Sequence, residues 1–134
     1  MTQSIATIAL VVADYDDAIA FYRDRLGFEV IEDTDLGAGK RWVLVSPPGN
    51  GGARLLLAKA SDARQQEAIG NQAGGRVGFF LETDDLARDH AAYVVAGVSF
   101  IRAPVTEAYG TVAVFADLYG NRWDLIEPKR LPDV

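Results

Sequence analysis

Ile8-Ala9-Leu10-Val11-Val12-Ala13-Asp14 is an unbroken apolar run closed by a carboxylate, and Val77 to Thr83, followed by Asp85, repeats the pattern in the second half of the chain. A short apolar run ending at a helix-capping residue reads as a buried strand leading into a helix. The Asp side chain accepts one of the N–H groups that the first helical turn leaves unbonded. Ile19, Tyr22 and Leu26 make the inward stripe of the first helix, and Gly27 stands where a helix commonly closes on a left-handed residue. The second helix runs from Asp85 to about Ala96 and closes at Gly97. Strand-like runs follow the first helix at Phe28 to Glu32, Arg41 to Val45 and Arg54 to Ala58, with turns at Gly37-Ala38-Gly39 and Pro47-Pro48-Gly49-Asn50-Gly51-Gly52. After the second helix they fall at Val98 to Arg102, Thr111 to Phe115 and Arg122 to Glu127.

Each half therefore reads β-α-β-β-β, and the landmarks keep a near-constant offset. Asp14 and Asp85 stand 71 positions apart, Gly27 and Gly97 70, and Gly52 and Gly120 68. An internal duplication is the economical explanation. The expected organisation is a single domain over residues 1–134: a first module over about 1–60, a connector over about 61–76 and a second module over about 77–134. The connector holds a short helix at Asp62 to Ile69, and its glycines suit a mobile link.

Composition narrows the function classes. The chain has 134 residues, 49% of them hydrophobic and 24% charged, the proportions of an ordinary globular domain. It contains no cysteine, which excludes disulfides and thiolate metal sites and fits a cytoplasmic location. Thirteen basic and nineteen acidic residues give a net charge of −6, so nucleic acid and anionic membrane surfaces are not expected partners. The longest apolar run is far below the roughly 20 residues that cross a bilayer. One histidine, His90, is the whole imidazole inventory. It falls on the second helix, at the position matching Ile19, and reads as a structural residue on the convex side of the sheet.

Ile8 to Asp14, Ala20-Phe21-Tyr22, Leu26-Gly27-Phe28, and Asp117-Leu118-Tyr119-Gly120-Asn121 before Trp123-Asp124-Leu125 resemble the vicinal oxygen chelate superfamily. That superfamily holds glyoxalase I, extradiol dioxygenases, and the bleomycin and fosfomycin resistance proteins. The resemblance runs from about Ile5 to Pro128. It implies an α+β fold of two βαβββ modules whose mixed sheets curl around a concave cavity with the helices outside, often in a homodimer that exchanges modules. Metal-dependent members place ligands at positions that fall here on Thr7, Leu56, Gly78 and Asp124, of which only Asp124 binds a cation well. No metal or other cofactor is therefore expected. Oxygen ligation of Mg or Mn by Asp124 with Glu82 is the alternative, and His-His-carboxylate iron chemistry lacks its second imidazole.

Strand alternation then assigns faces. Ile8, Leu10 and Val12, with Val77, Phe79 and Leu81, point toward the helices. Thr7, Arg54, Glu82, Arg122 and Asp124 form the polar lining of the opposite face, and Trp42, Phe80, Tyr109 and Tyr119 supply apolar walls. Asp124 and Glu82 act as a carboxylate pair for proton transfer, or each is neutralised by Arg54 or Arg122. Two arginines also suit a carboxylate or phosphate ligand. Asp33, Asp35 and Glu107 are expected in solvated loops. The leading expectation is a small-molecule-binding protein or a metal-independent enzyme. The alternatives are a divalent-metal lyase or isomerase of the glyoxalase kind, and a structural dimer without a ligand.

Overall fold

The computed structural model describes residues 1–49 and 51–129, so Asn50 of the expected glycine-rich turn and the last five residues of the expected second module lie outside the described residues. The chain divides into two units, Met1–Gln72 and a second beginning at Ala73. The first contains β1 (Thr7–Val12), α1 (Tyr15–Ile19) with a π-helical continuation (Ala20–Arg25), β2 (Glu29–Gly37), β3 (Lys40–Ser46), β4 (Arg54–Lys59) and α2 (Ala63–Ala68). The second contains β5 (Val77–Glu82), α3 (Leu86–Val95), β6 (Ser99–Glu107), β7 (Gly110–Ala116) and β8 (Arg122–Pro128). Each unit is a βαβββ module with one four-stranded mixed sheet, ordered β1-β4-β3-β2 or β5-β8-β7-β6, and the fold is α+β. The first strand of each sheet runs parallel to its neighbour and the remaining pairs are antiparallel.

The capping carboxylates Asp14 and Asp85 stand where the sequence places them, accepting from the N–H of Asp17 and Arg88 at 2.8 and 3.0 Å. Asp62 caps α2 in the same way, accepting from the N–H of Gln65 at 2.8 Å. Gly27 (φ 74°) and Gly97 (φ 89°) end the main helices in the left-handed region, where an L side chain is strained. The matching N–H of Phe28 and Val98 reach back to the carbonyls of Tyr22 and Tyr93 at 2.8 and 2.9 Å. The helix after Asp14 departs from the single α-helix expected. Its landmark offset slips from 71 to 70, one residue more than in the second module, and the π-helical segment Ala20–Arg25 absorbs that residue in a widened turn.

The helix that follows the first strand of each unit buries its apolar stripe against its own sheet. Ile19, Tyr22 and Leu26 are buried with Leu10, Val12, Val43, Val45, Leu55 and Leu57. In the second unit Trp123 stacks between Phe79 and Phe115 with centroids at 4.5 and 5.7 Å, and Phe115 meets Tyr93 and Phe100 edge-on. Full burial of each such side chain stabilises by roughly 1.5–3 kcal/mol. His90 closes this cluster with its ring 4.4 Å from that of Phe100. Ile8, expected toward the helices, is instead 44% exposed.

Two strands are longer than the sequence suggests. β2 extends through Asp33 and Asp35 to Gly37, and β6 extends past Pro104 to Glu107, so these three carboxylates belong to strands and not to loops. Both strands lie at sheet edges and both slip register, β2 between Val30 and Glu32 and β6 between Arg102 and Val105. An edge strand tolerates a proline and a bulge because one side of its backbone has no ladder to break. Asp33 is held by Arg41 through bonds of 3.1 and 2.7 Å, and Arg41 also reaches Asp16 at 2.8 Å, tying α1 to the β2–β3 hairpin. The Arg41 guanidinium keeps the Asp33 carboxyl below its ordinary value.

The connector is fastened, which its glycines did not suggest. The Gln72 carboxamide accepts from Val11 N–H at 3.2 Å and donates to Ala9 C=O at 2.7 Å, so one side chain acts as a short strand along the outer edge of β1. Replacing Gln72 with alanine is expected to speed hydrogen exchange at the Val11 amide by at least about tenfold. The amides of β1 that face β4 should keep their protection. Residue-resolved exchange by NMR checks this, and unchanged protection at Val11 would rule the clasp out.

Candidate functional site

Helices cover one face of each sheet, and the other face carries most of the residues singled out above. In the second unit the pairing of β5 with β8 sets Phe80 beside Asp124 and Glu82 beside Ile126. Across β7 and β6, Asp124 is followed by Val114 and then Arg102. Phe80, Asp124, Val114 and Arg102 therefore form one row across the sheet. Phe80 is 61% exposed, an uncommon state for a ring in mid-strand. Asp124 is half-buried, and burial pushes its carboxyl above the ordinary carboxylate value while the Arg102 guanidinium pulls it back. Arg102 donates to Glu107 at 3.1 Å.

Arg102 is the residue that sequence reading missed. Its alternation with Val105 and Glu107 is broken by the slip at Ala103-Pro104, so period-two counting stops at Arg102 itself. Arg122 is exposed at the start of β8, on the same face as Asp124 and two residues before it. Glu82 is exposed and lines a second-unit cavity of about 620 Å³ with Asp84, Glu107, Glu127 and Lys129. It is diagonal to Asp124 and not in register with it, and the charged neighbour that acts on Asp124 is Arg102. Tyr109 occupies the β6–β7 turn, 59% exposed, with its carbonyl accepting from Lys129 N–H at 2.9 Å.

What fixes Asp124 is the turn before it. Asp117 and Asn121 are buried, 5% and 4% exposed. One Asp117 carboxylate oxygen accepts from the N–H of Tyr119 and of Asn121, and the other accepts from the Asn121 side-chain amide, all at 2.9 Å. Gly120, at φ 98°, completes a reversal that starts β8 in register, Arg122 opposite Ala116 and Asp124 opposite Val114.

In the first unit Thr7 and Arg54 are register partners, both exposed, at one end of the sheet. Trp42 lies toward the other end of β3, where Thr34 of β2 is its partner. Thr7 and Arg54 are thus brought together, and Trp42 stands apart from them.

The metal positions implied by the family resemblance do not fit a metal. Leu56 has no donor atom, and at Gly78 a Cβ would lie 2.7 Å from the Cβ of Ala73, so a longer ligating side chain has no room there unless Ala73 moves. Among the described residues no group of three or more His, Cys, Asp or Glu is disposed to hold a metal ion. Among the same residues no helix is long and apolar enough to cross a membrane.

Duplicated βαβββ units, each with one sheet face free of its own helices and bearing aromatic and ionisable side chains, define a scaffold class. The chain belongs to the Glyoxalase/Bleomycin resistance protein/Dioxygenase superfamily, whose family model matches residues 4–125. It is 58% identical over 128 residues to an uncharacterised protein of Shewanella frigidimarina (strain NCIMB 400), spanning 95% of each chain. Among solved structures it is similar to UcmS2, with a TM-score of 0.82 and 30% identity over 95% of this chain and 99% of that one. It is also similar to TnmS3, an antibiotic binding protein from Streptomyces sp. CB03234, with a TM-score of 0.76 and 27% identity over 96% of this chain and 98% of that one.

Proposed function

We propose that this chain is a metal-independent small-molecule-binding protein that holds an aromatic ligand of the antibiotic class on the helix-free face of the second unit. The observation that carries the reading is the pairing of an exposed ring with a desolvated carboxyl. Phe80 offers a stacking surface, and its register partner Asp124 offers one directed polar contact. Small-molecule sites combine apolar area with a few placed polar groups in this way. The likeness to an antibiotic binding protein supports the ligand class. The same reading places the protein in the cytoplasm as a homodimer, the latter because β5 has a sheet neighbour on one side only.

Asp124 supplies the test. A carboxyl raised above its ordinary value of 3.8 is more protonated in the folded than in the unfolded chain. It therefore withdraws stability as pH rises through the interval above 3.8. Asp124→Asn should accordingly melt higher than wild type at pH 7, and the difference should fade as the pH falls below that value. Thermal shift against a panel of aromatic antibiotics should find a ligand that raises the wild-type melting temperature. The shift should be lost in Phe80→Ala and Asp124→Asn. Protein stripped with chelator should respond equally, and a stoichiometric rise in melting temperature on adding Ni, Zn, Mn or Mg would overturn the metal-independent part.

A further inference from the structure

We propose that the first unit carries a separate binding site for a small planar aromatic anion, in the cavity of about 520 Å³ where the β2–β3 turn, the end of β4 and α2 meet. Neither this site nor the one proposed on the second unit requires the other. Three observations on different parts of the cavity converge on that ligand chemistry.

The first is charge. The protein carries −6 overall, with nineteen acidic residues in 134, yet Lys40, Arg41 and Lys59 line this cavity and no Asp or Glu does. Arg41 is bound by both Asp33 and Asp16 at 2.7 and 2.8 Å, a cluster with a net charge of −1, so the ammonium groups of Lys40 and Lys59 supply the cavity's positive charge and leave the local balance positive. Among the described residues neither lysine takes part in an ion pair; the salt bridges found there are all made by arginines. The second-unit cavity shows the opposite balance, with four carboxylates to one lysine. The lining of this cavity thus favours an anion although the chain as a whole is negative.

The second observation is the apolar wall. Trp42 is 39% exposed, whereas Trp123 is buried and stacked between two rings. Leu56 and Ala58 of β4 line the cavity with Trp42. An indole left half open above an aliphatic floor suits a flat aromatic guest.

The third is the turn at the mouth. The pairing of Gly37 with Lys40 leaves a two-residue loop, Ala38-Gly39, with φ of 55° and 80°. Ala38 is the only non-glycine with positive φ among the described residues. Asn, Asp or Gly holds this position with less strain. Asn or Asp would put a polar or acidic group at the mouth, whereas Ala38 presents a methyl group.

The test uses the full chain and one ring in two charge states: 2-naphthoate, and 2-naphthylmethylamine as the cation. By calorimetry the anion should bind one per chain, at least about tenfold tighter than the cation, because two exposed charges attract one and repel the other. In NMR spectra the indole N–H signal of Trp42 should move with naphthoate while that of buried Trp123 stays in place. Trp42→Ala should abolish binding. The double substitution Lys40→Gln, Lys59→Gln should weaken naphthoate by about fivefold and erase the preference over the amine. Phe80→Ala should bind naphthoate as wild type does, which separates this site from the second-unit face. Equal binding of the two probes, an unmoved Trp42 signal, or full binding by Trp42→Ala would overturn the proposal.

Discussion

Asp117→Ala should lower stability by about 3–4 kcal/mol, because it strands three donors that the carboxylate now satisfies, and each buried donor left unbonded costs about 1–3 kcal/mol. In a chain of 134 residues that is a fall of roughly 10 °C in melting temperature. The donors are the N–H of Tyr119, the N–H of Asn121 and the Asn121 side-chain amide, and Asn121 is only 4% exposed, so water does not readily replace the lost acceptor. Asp117→Asn separates the contributions. Its remaining oxygen serves the two backbone donors, but its amide nitrogen faces the Asn121 amide, and a loss near half that of alanine is expected. Differential scanning calorimetry of the three proteins checks the order wild type, Asn, Ala. A melting temperature for Asp117→Ala within 2 °C of wild type would show that the turn holds without its carboxylate. The substitution should also disturb Asp124, since β8 enters the sheet directly from this turn.

The parts of this fold that the sequence made legible are those where one residue settles a local question. Asp14 and Asp85 start helices because a short carboxylate in extended backbone reaches the third N–H beyond it. Gly27 and Gly97 end them because left-handed backbone favours residues without a Cβ. Asp124 fell on the helix-free face because β8 lies inside its sheet and alternates without interruption from Arg122 to Pro128. Legibility failed at the edges. Asp33 and Asp35 read as loop residues, and the strand after the second helix reads as ending at Arg102, yet both segments continue a hairpin whose partner, β3 or β7, is the well-formed strand. Arg102 was hidden by the same slip. The Gln72 clasp spans more than sixty residues, and nothing local announces a contact of that length. Trp42, Lys40 and Lys59 line one cavity only because the hairpin turn and the end of β4 come together, a juxtaposition that no local stretch of sequence announces.

Gly110→Ala should destabilise the second unit by about 3 kcal/mol, through a clash that no rotamer change relieves. Gly110 opens β7 opposite Pro128, at φ 150°. A Cβ there would lie 2.3 Å from the Glu127 carbonyl oxygen, 3.0 Å from Pro128 Cα and 3.1 Å from Lys129 N. All three are backbone atoms, so the two strands must part at this end of the sheet. The damage should spread along a definite path. Glu127 Oε1 accepts from Leu86 N–H at 2.9 Å, so moving β8 loosens the first turn of α3, and the Tyr109 carbonyl loses its bond to Lys129 N–H. Hydrogen exchange should therefore quicken at Leu86 and Lys129 before it does at Phe115 or Leu125 in the core. Gly52→Ala is the control, because its Cβ would meet nothing within 4 Å and its φ is not positive, and its melting temperature should match wild type. If Gly110→Ala and Gly52→Ala melted together, the close approach of β7 to β8 would not be what confines position 110 to glycine.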